Sequence, residues 1–76
     1  MEDIVGTRGK IIKVLEVLDN GDSMVEVKTT SSESFEAMAD NRDIARLGAS
    51  EFDFILATGT VNHNETVKRI IISIIH

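Results

Sequence analysis

Short stretches of this chain alternate apolar with polar side chains at a period of two, and turn-prone residues separate them. The segment GKIIKVLEVL, Gly9 to Leu18, is rich in β-branched residues. It is followed by Asp19-Asn20-Gly21-Asp22, and an Asn-Gly pair between two β patterns predicts a tight hairpin with Gly21 at positive φ. Beyond that turn Val25 and Val27 alternate with Glu26 and Lys28, a strand with one buried and one solvated face. TTSSE, Thr29 to Glu33, then reads as a second turn.

The segment SFEAMADNRDIARLG admits two readings. Glu36, Ala37, Met38 and Ala39 are good helix formers, and Gly48 suits a helix C-cap. Phe35, Ala37 and Ala39 also alternate strictly with Glu36, Met38 and Asp40, while Asp40 and Asn41 fit a turn better than a helix interior. The favoured reading is a strand over Ser34 to Ala39, then a turn or one helical turn around Arg42 to Leu47. Farther on, Phe52, Phe54 and Leu56 alternate with Asp53, Ile55 and Ala57. A loop is expected from Gly59 to Glu65, then a last strand from Thr66 to Ile75.

Five short strands in 76 residues predict an all-β fold, a small five-stranded OB-like barrel forming a single domain over residues 1–76. Its interior is expected to hold Ile12, Val14, Val25, Val27, Phe35, Phe54, Ile70 and Ile72. In the first strand Ile11 and Ile12 are adjacent, so only one of them can face the core. The last strand is apolar on both sides: Ile70, Ile72 and Ile74 point one way, Ile71, Ser73 and Ile75 the other. One face fills the barrel, and the second needs a cover, from the same domain or from another protein. Ile75 and Ile71 are therefore the candidate protein-contact residues, with docking expected of Ile75 and burial of Ile71.

Composition narrows the function. Thirteen acidic against eight basic side chains give a net charge of −5, which opposes binding to a phosphate backbone or an anionic membrane. The deficit is concentrated between Asp19 and Asp53, where nine acidic residues meet only Lys28, Arg42 and Arg46, 3 − 9 = −6. There is no tyrosine or tryptophan, so the aromatic platforms of a single-strand binder are scarce. With no cysteine, neither a disulfide nor a thiolate metal site is open to the chain. The isoleucine cluster falls far short of the roughly 20 residues of a spanning helix.

Candidate chemistry is sparse. His63 in VNHNE lacks a second histidine or a spaced acid, and reads as a loop residue; His76 is the last residue of the sequence. Ser31, Ser32 and Ser34 sit with Thr29 and Thr30 without the context of a nucleophile, and read as turn-forming hydroxyls. Gly6-Thr7-Arg8-Gly9 has no helix behind it to make a phosphate loop, so its glycines read as a bend into the first strand. Asn64-Glu65-Thr66 matches a glycosylation sequon without a secretion signal. Asp40 to Asp53 lacks the spacing of a calcium loop and reads as a solvated face. No pair of titratable groups marks an enzyme.

Val5-Gly6-Thr7-Arg8-Gly9, then Val25-Glu26-Val27, then Glu33-Ser34-Phe35-Glu36-Ala37 and Ile44 to Gly48 follow one another in the order of the soluble C-terminal domain of the NfeD family. The chain resembles that family over about its first two thirds. It departs in placing Ala45-Arg46-Leu47 between Ile44 and Gly48, and in a final segment, Ala49 to His76, longer than the family's closing hairpin. The resemblance implies an OB-like, non-catalytic protein-interaction module without cofactor or metal. Its partners would be of the stomatin and flotillin class, at the cytoplasmic face of the cell membrane, with any membrane segment lying outside this chain. The alternative is an OB-fold nucleic-acid-binding protein, which rests on fold alone.

Overall fold

A computed structural model describes residues 7–61 and 65–72 of the chain. Five strands and one helix follow in the order β1 Thr7–Val17, β2 Asp22–Thr29, β3 Ser34–Asp40, α1 Asn41–Leu47, β4 Phe52–Val61 and β5 Glu65–Ile72. The strands form one sheet that closes on itself in the order β1-β2-β3-β5-β4. Neighbours are antiparallel except β3 and β5, which run parallel where Met38 meets Arg69. The architecture is mostly β, one five-stranded sheet closing in a ring, with the helix α1 added to the expected all-β pattern.

Inside the ring, Val25 and Val27 of β2 stand opposite Ala37 and Phe35 of β3. Val25, Val27, Ala37, Ala39, Phe52, Phe54 and Ile70 form the buried cluster, against which partly buried Ile11, Phe35, Ile44, Leu47 and Ile72 pack. Phe54 is its centre, fully buried, with its ring 5.3 Å from Phe52 and 6.0 Å from Phe35. Burying each valine, isoleucine or phenylalanine of the cluster contributes about 1.5–3 kcal/mol.

Ile12 and Val14 depart from their expected burial, being 46% and 45% exposed. The pairing of β1 with β2 shifts between Ile11 and Lys13 and again between Val14 and Glu16, which makes Ile12 and Leu15 bulge residues outside the regular ladder. Ile11 takes the core side instead, opposite Val27. Val14 does stand opposite buried Val25, but β1 pairs with β4 only over Thr7 to Gly9. Beyond Gly9 no β4 neighbour pairs with β1, and Ile12, Val14, Leu15 and Val17 are exposed there.

Gly9 sits at that closure, paired with Thr29 on one side and Phe52 on the other. A Cβ there would lie 2.7 Å from the Lys28 carbonyl oxygen, so the missing side chain permits close approach of two backbones.

The turns are set locally. The Asn20 Oδ1 accepts from the Asp22 N–H at 3.0 Å, and Gly21 follows at φ 93° as expected. The connection is longer than a two-residue hairpin, since Leu18 to Gly21 all lie between β1 and β2. In the second turn Thr29 Oγ1 lies 3.0 Å from Ser31 Oγ and accepts from the Glu33 N–H at 3.1 Å, which makes the hydroxyl cluster a turn.

The ambiguous segment is both strand and helix. Asp40 ends β3 and caps α1, its Oδ1 accepting from the Arg42 N–H at 2.7 Å. Gly48, at φ 56°, closes the helix by donating to the Ile44 carbonyl. Ile44 and Leu47 turn one side of the helix onto the core. Gly59 to Val61, expected in a loop, extend β4 and pair with Val67, Thr66 and Glu65.

Candidate functional site

Along β2 and β3 the side chains between the core residues face outward. Met24 stands opposite Glu16 on one side and Met38 on the other, and Met38 meets Arg69 of β5. In the adjoining row Lys13, Glu26 and Glu36 stand side by side. Residues on this outer surface line a groove of about 450 Å³. Leu15, Leu18, Met24 and Val67 make its apolar floor, and Glu16, Glu36 and Glu65 bring carboxylates to its rim.

The acids of the chain fall into two sets. Arg8 pairs with Asp53 and Glu51, Arg42 with Asp40, Arg46 with Asp43, and Arg69 with Asp22. All four described arginines are thus engaged by acids away from the groove. Glu16, Glu26, Glu36 and Glu65 form no ion pair with another described residue. Glu26 and Glu36 are directly opposed across β2 and β3, an arrangement of like charges that is locally destabilising.

The pairs involving Asp22 and Asp40 hold neighbouring elements of the scaffold together. Arg69 donates to both carboxylate oxygens of Asp22, at 3.1 and 3.3 Å, reaching from β5 across β3 to β2. That hydrogen bonding raises the arginine's already high pKa. Hydrogen bonds from the Arg42 guanidinium and then its backbone N–H lower the pKa of Asp40. Fully buried Ser23 donates to Asn41 Oδ1 at 2.6 Å, and the Asn41 N–H donates to the Gly21 carbonyl, so the start of α1 is tied to the start of β2.

Ile71 is 41% exposed and stands opposite Ile55, itself 40% exposed, on the outer face of β4 and β5. Its expected burial is therefore corrected, because the described elements cover only the inward face of β5. Ile71 lies toward the other end of β5 from Glu65 and Val67 and does not join the groove. Ile75, Ile74, His63, His76 and Asn64 lie outside the described residues. Arg8 of the Gly6 to Gly9 segment is held by Asp53 in a strand, with no helix after it. Among the described residues no cluster of three or more metal-ligating side chains is present, and no helix is long and apolar enough to cross a membrane.

The groove itself was not legible as a site. Its seven lining residues come from β1, the turn after it, β2, β3 and β5, and alternation marks each only as outward-facing. Comparison with protein-family models, with curated proteins and with solved structures gave no match.

Proposed function

We propose that this chain is a non-catalytic protein-interaction module with an OB-like barrel, akin to the soluble domain of NfeD-family membrane proteins. The strand order, the parallel contact of β3 with β5 and the helix between β3 and β4 support the OB-like reading. The NfeD likeness rests on the sequence motifs, and it brings partners of the stomatin and flotillin class and a place at the cytoplasmic face of the cell membrane.

The observation that carries the interaction reading is the groove. An apolar floor beside carboxylates that form no ion pair with another described residue is a surface left for a partner to complete. A nucleic-acid strand would meet Glu16, Glu36 and Glu65 there and be repelled.

Titration of the labelled domain with the soluble part of a stomatin-type protein, beside labelled single-stranded DNA at low ionic strength, tests the reading. Association with the protein and none with DNA is expected. Salt-dependent DNA binding with no protein association would overturn it in favour of the nucleic-acid alternative.

A further inference from the structure

We infer that the groove takes a cationic amphipathic segment of a partner protein, one in which lysine or arginine side chains flank an aliphatic one; this rests on the interaction-module reading above. The floor of Leu15, Leu18, Met24 and Val67 calls for an aliphatic group. Its volume, about 450 Å³, is toward the lower end of the roughly 300–1,000 Å³ of small-molecule clefts. That suits a few side chains rather than a broad protein face.

Charge complementarity selects the occupant. Glu16, Glu36 and Glu65 stand around the apolar floor, and no basic residue lines the groove. Glu26 adds its charge directly opposite Glu36, with Lys13 on its other side but in no ion pair with it, and the described arginines are held by other acids. A cation arriving from outside relieves the repulsion between these carboxylates while its apolar neighbour fills the floor.

Other occupants answer only part of this surface. A neutral hydrocarbon would fill the floor and leave the rim unbalanced. A bare divalent cation would ignore the floor, and no described carboxylates cluster closely enough to hold one. A second copy of the chain would bring its own net charge of −5 toward the same acidic rim.

The test uses a fluorescein-labelled peptide of alternating lysine and leucine, with a serine-leucine peptide as its uncharged counterpart. Binding is followed by anisotropy, and its place by amide shifts of the ¹⁵N-labelled chain. Shifts are expected at Leu15, Met24, Glu36 and Val67, with binding that weakens as ionic strength rises. The triple variant Glu16→Gln, Glu36→Gln, Glu65→Gln should bind the lysine peptide about tenfold more weakly. A control carrying Glu33→Gln, Asp43→Asn and Glu51→Gln loses the same charge elsewhere and should keep most of the affinity.

Equal weakening in both triple variants would reduce the effect to long-range attraction by an acidic chain and overturn the inference. So would shifts confined to another face. Equal binding of the serine-leucine peptide would overturn the cationic class while leaving an apolar interaction groove. Binding of labelled single-stranded DNA without either peptide would instead sink the module reading itself. Because the substituted glutamates are solvent-exposed, the triple variant is expected to fold; the wild-type shift map decides the location independently of it.

Discussion

Arg69 of β5 grips Asp22 of β2 through both carboxylate oxygens, at 3.1 and 3.3 Å, with β3 lying between the two strands. Beneath the bridge Met38 is 2% exposed although its alternation places it on the outer face. The Met38 Cε lies 3.0 Å from where a Gly59 Cβ would stand, and Arg69 side-chain carbons come within 3.7 Å of the same point. The arginine therefore clips three strands together and shelters an outward methionine.

The two ends of that bridge are unequally exposed, 30% for the Arg69 side chain and 12% for Asp22. Arg69→Met should destabilise the domain by about 1–3 kcal/mol, because it strands a largely buried carboxylate. Asp22→Ala should cost less, since the arginine it frees already touches water. Urea melts of both single variants and the double variant check this. A cost for Asp22→Ala equal to or above that for Arg69→Met would remove the asymmetry.

Gly21 and Gly9 should fail for different reasons. At φ 93°, with no atom within 4 Å of where a Cβ would stand, Gly21→Val should cost about 1–2 kcal/mol through the left-handed backbone alone. Gly21→Asn should recover part of it, because asparagine tolerates that region. Gly9→Ala places a methyl 2.7 Å from the Lys28 carbonyl and should cost about 1–3 kcal/mol by forcing β1 from β2. Thermal melts give the magnitudes, and amide shifts along β1 and β2 should move for Gly9→Ala but stay local for Gly21→Val.

Asp40 makes acid stability testable. Its pKa is lowered from 3.8, first by the Arg42 guanidinium and then by the Arg42 N–H. A carboxylate with a depressed folded pKa stabilises the fold above its unfolded value, and that contribution is lost as pH falls through the folded value. Asp40→Asn keeps a capping oxygen and removes the charge. Wild type should therefore melt higher than Asp40→Asn at neutral pH, with the gap closing below 3.8. A gap that persists unchanged into stronger acid would show that the charge is not its source.

Ile70 and Ile71 are adjacent and opposite in fate, 4% and 41% exposed. Ile71→Lys should leave stability within about 0.5 kcal/mol, as a surface change does. Ile70→Lys places an ammonium in the core and should prevent folding. Far-ultraviolet circular dichroism separates the two, and an unfolded Ile71→Lys protein would mean that the outer face of β5 is covered.

Alternation by itself determined the inward sets of β2, β3 and the first part of β4: Val25, Val27, Ala37, Ala39, Phe52 and Phe54 are all buried where the pattern puts them. It also placed Gly21 in its turn, because an Asn-Gly pair constrains its own backbone whatever surrounds it. These are short-range effects, complete within a few residues of chain. Tertiary structure decided the rest. Ile12 and Val14 have the composition of core residues, but their exposure depends on two bulges and on β4 leaving β1 after Gly9. Asp40 looks like a turn residue until the strand it ends and the helix it caps are seen together. Asp22 and Arg69 lie 47 residues apart, and only ring closure through β3 and β5 brings them into contact. The groove has the same origin, since the closed strand order gathers Glu16, Glu36 and Glu65 from three strands around a floor that period-two alternation can only mark as outward.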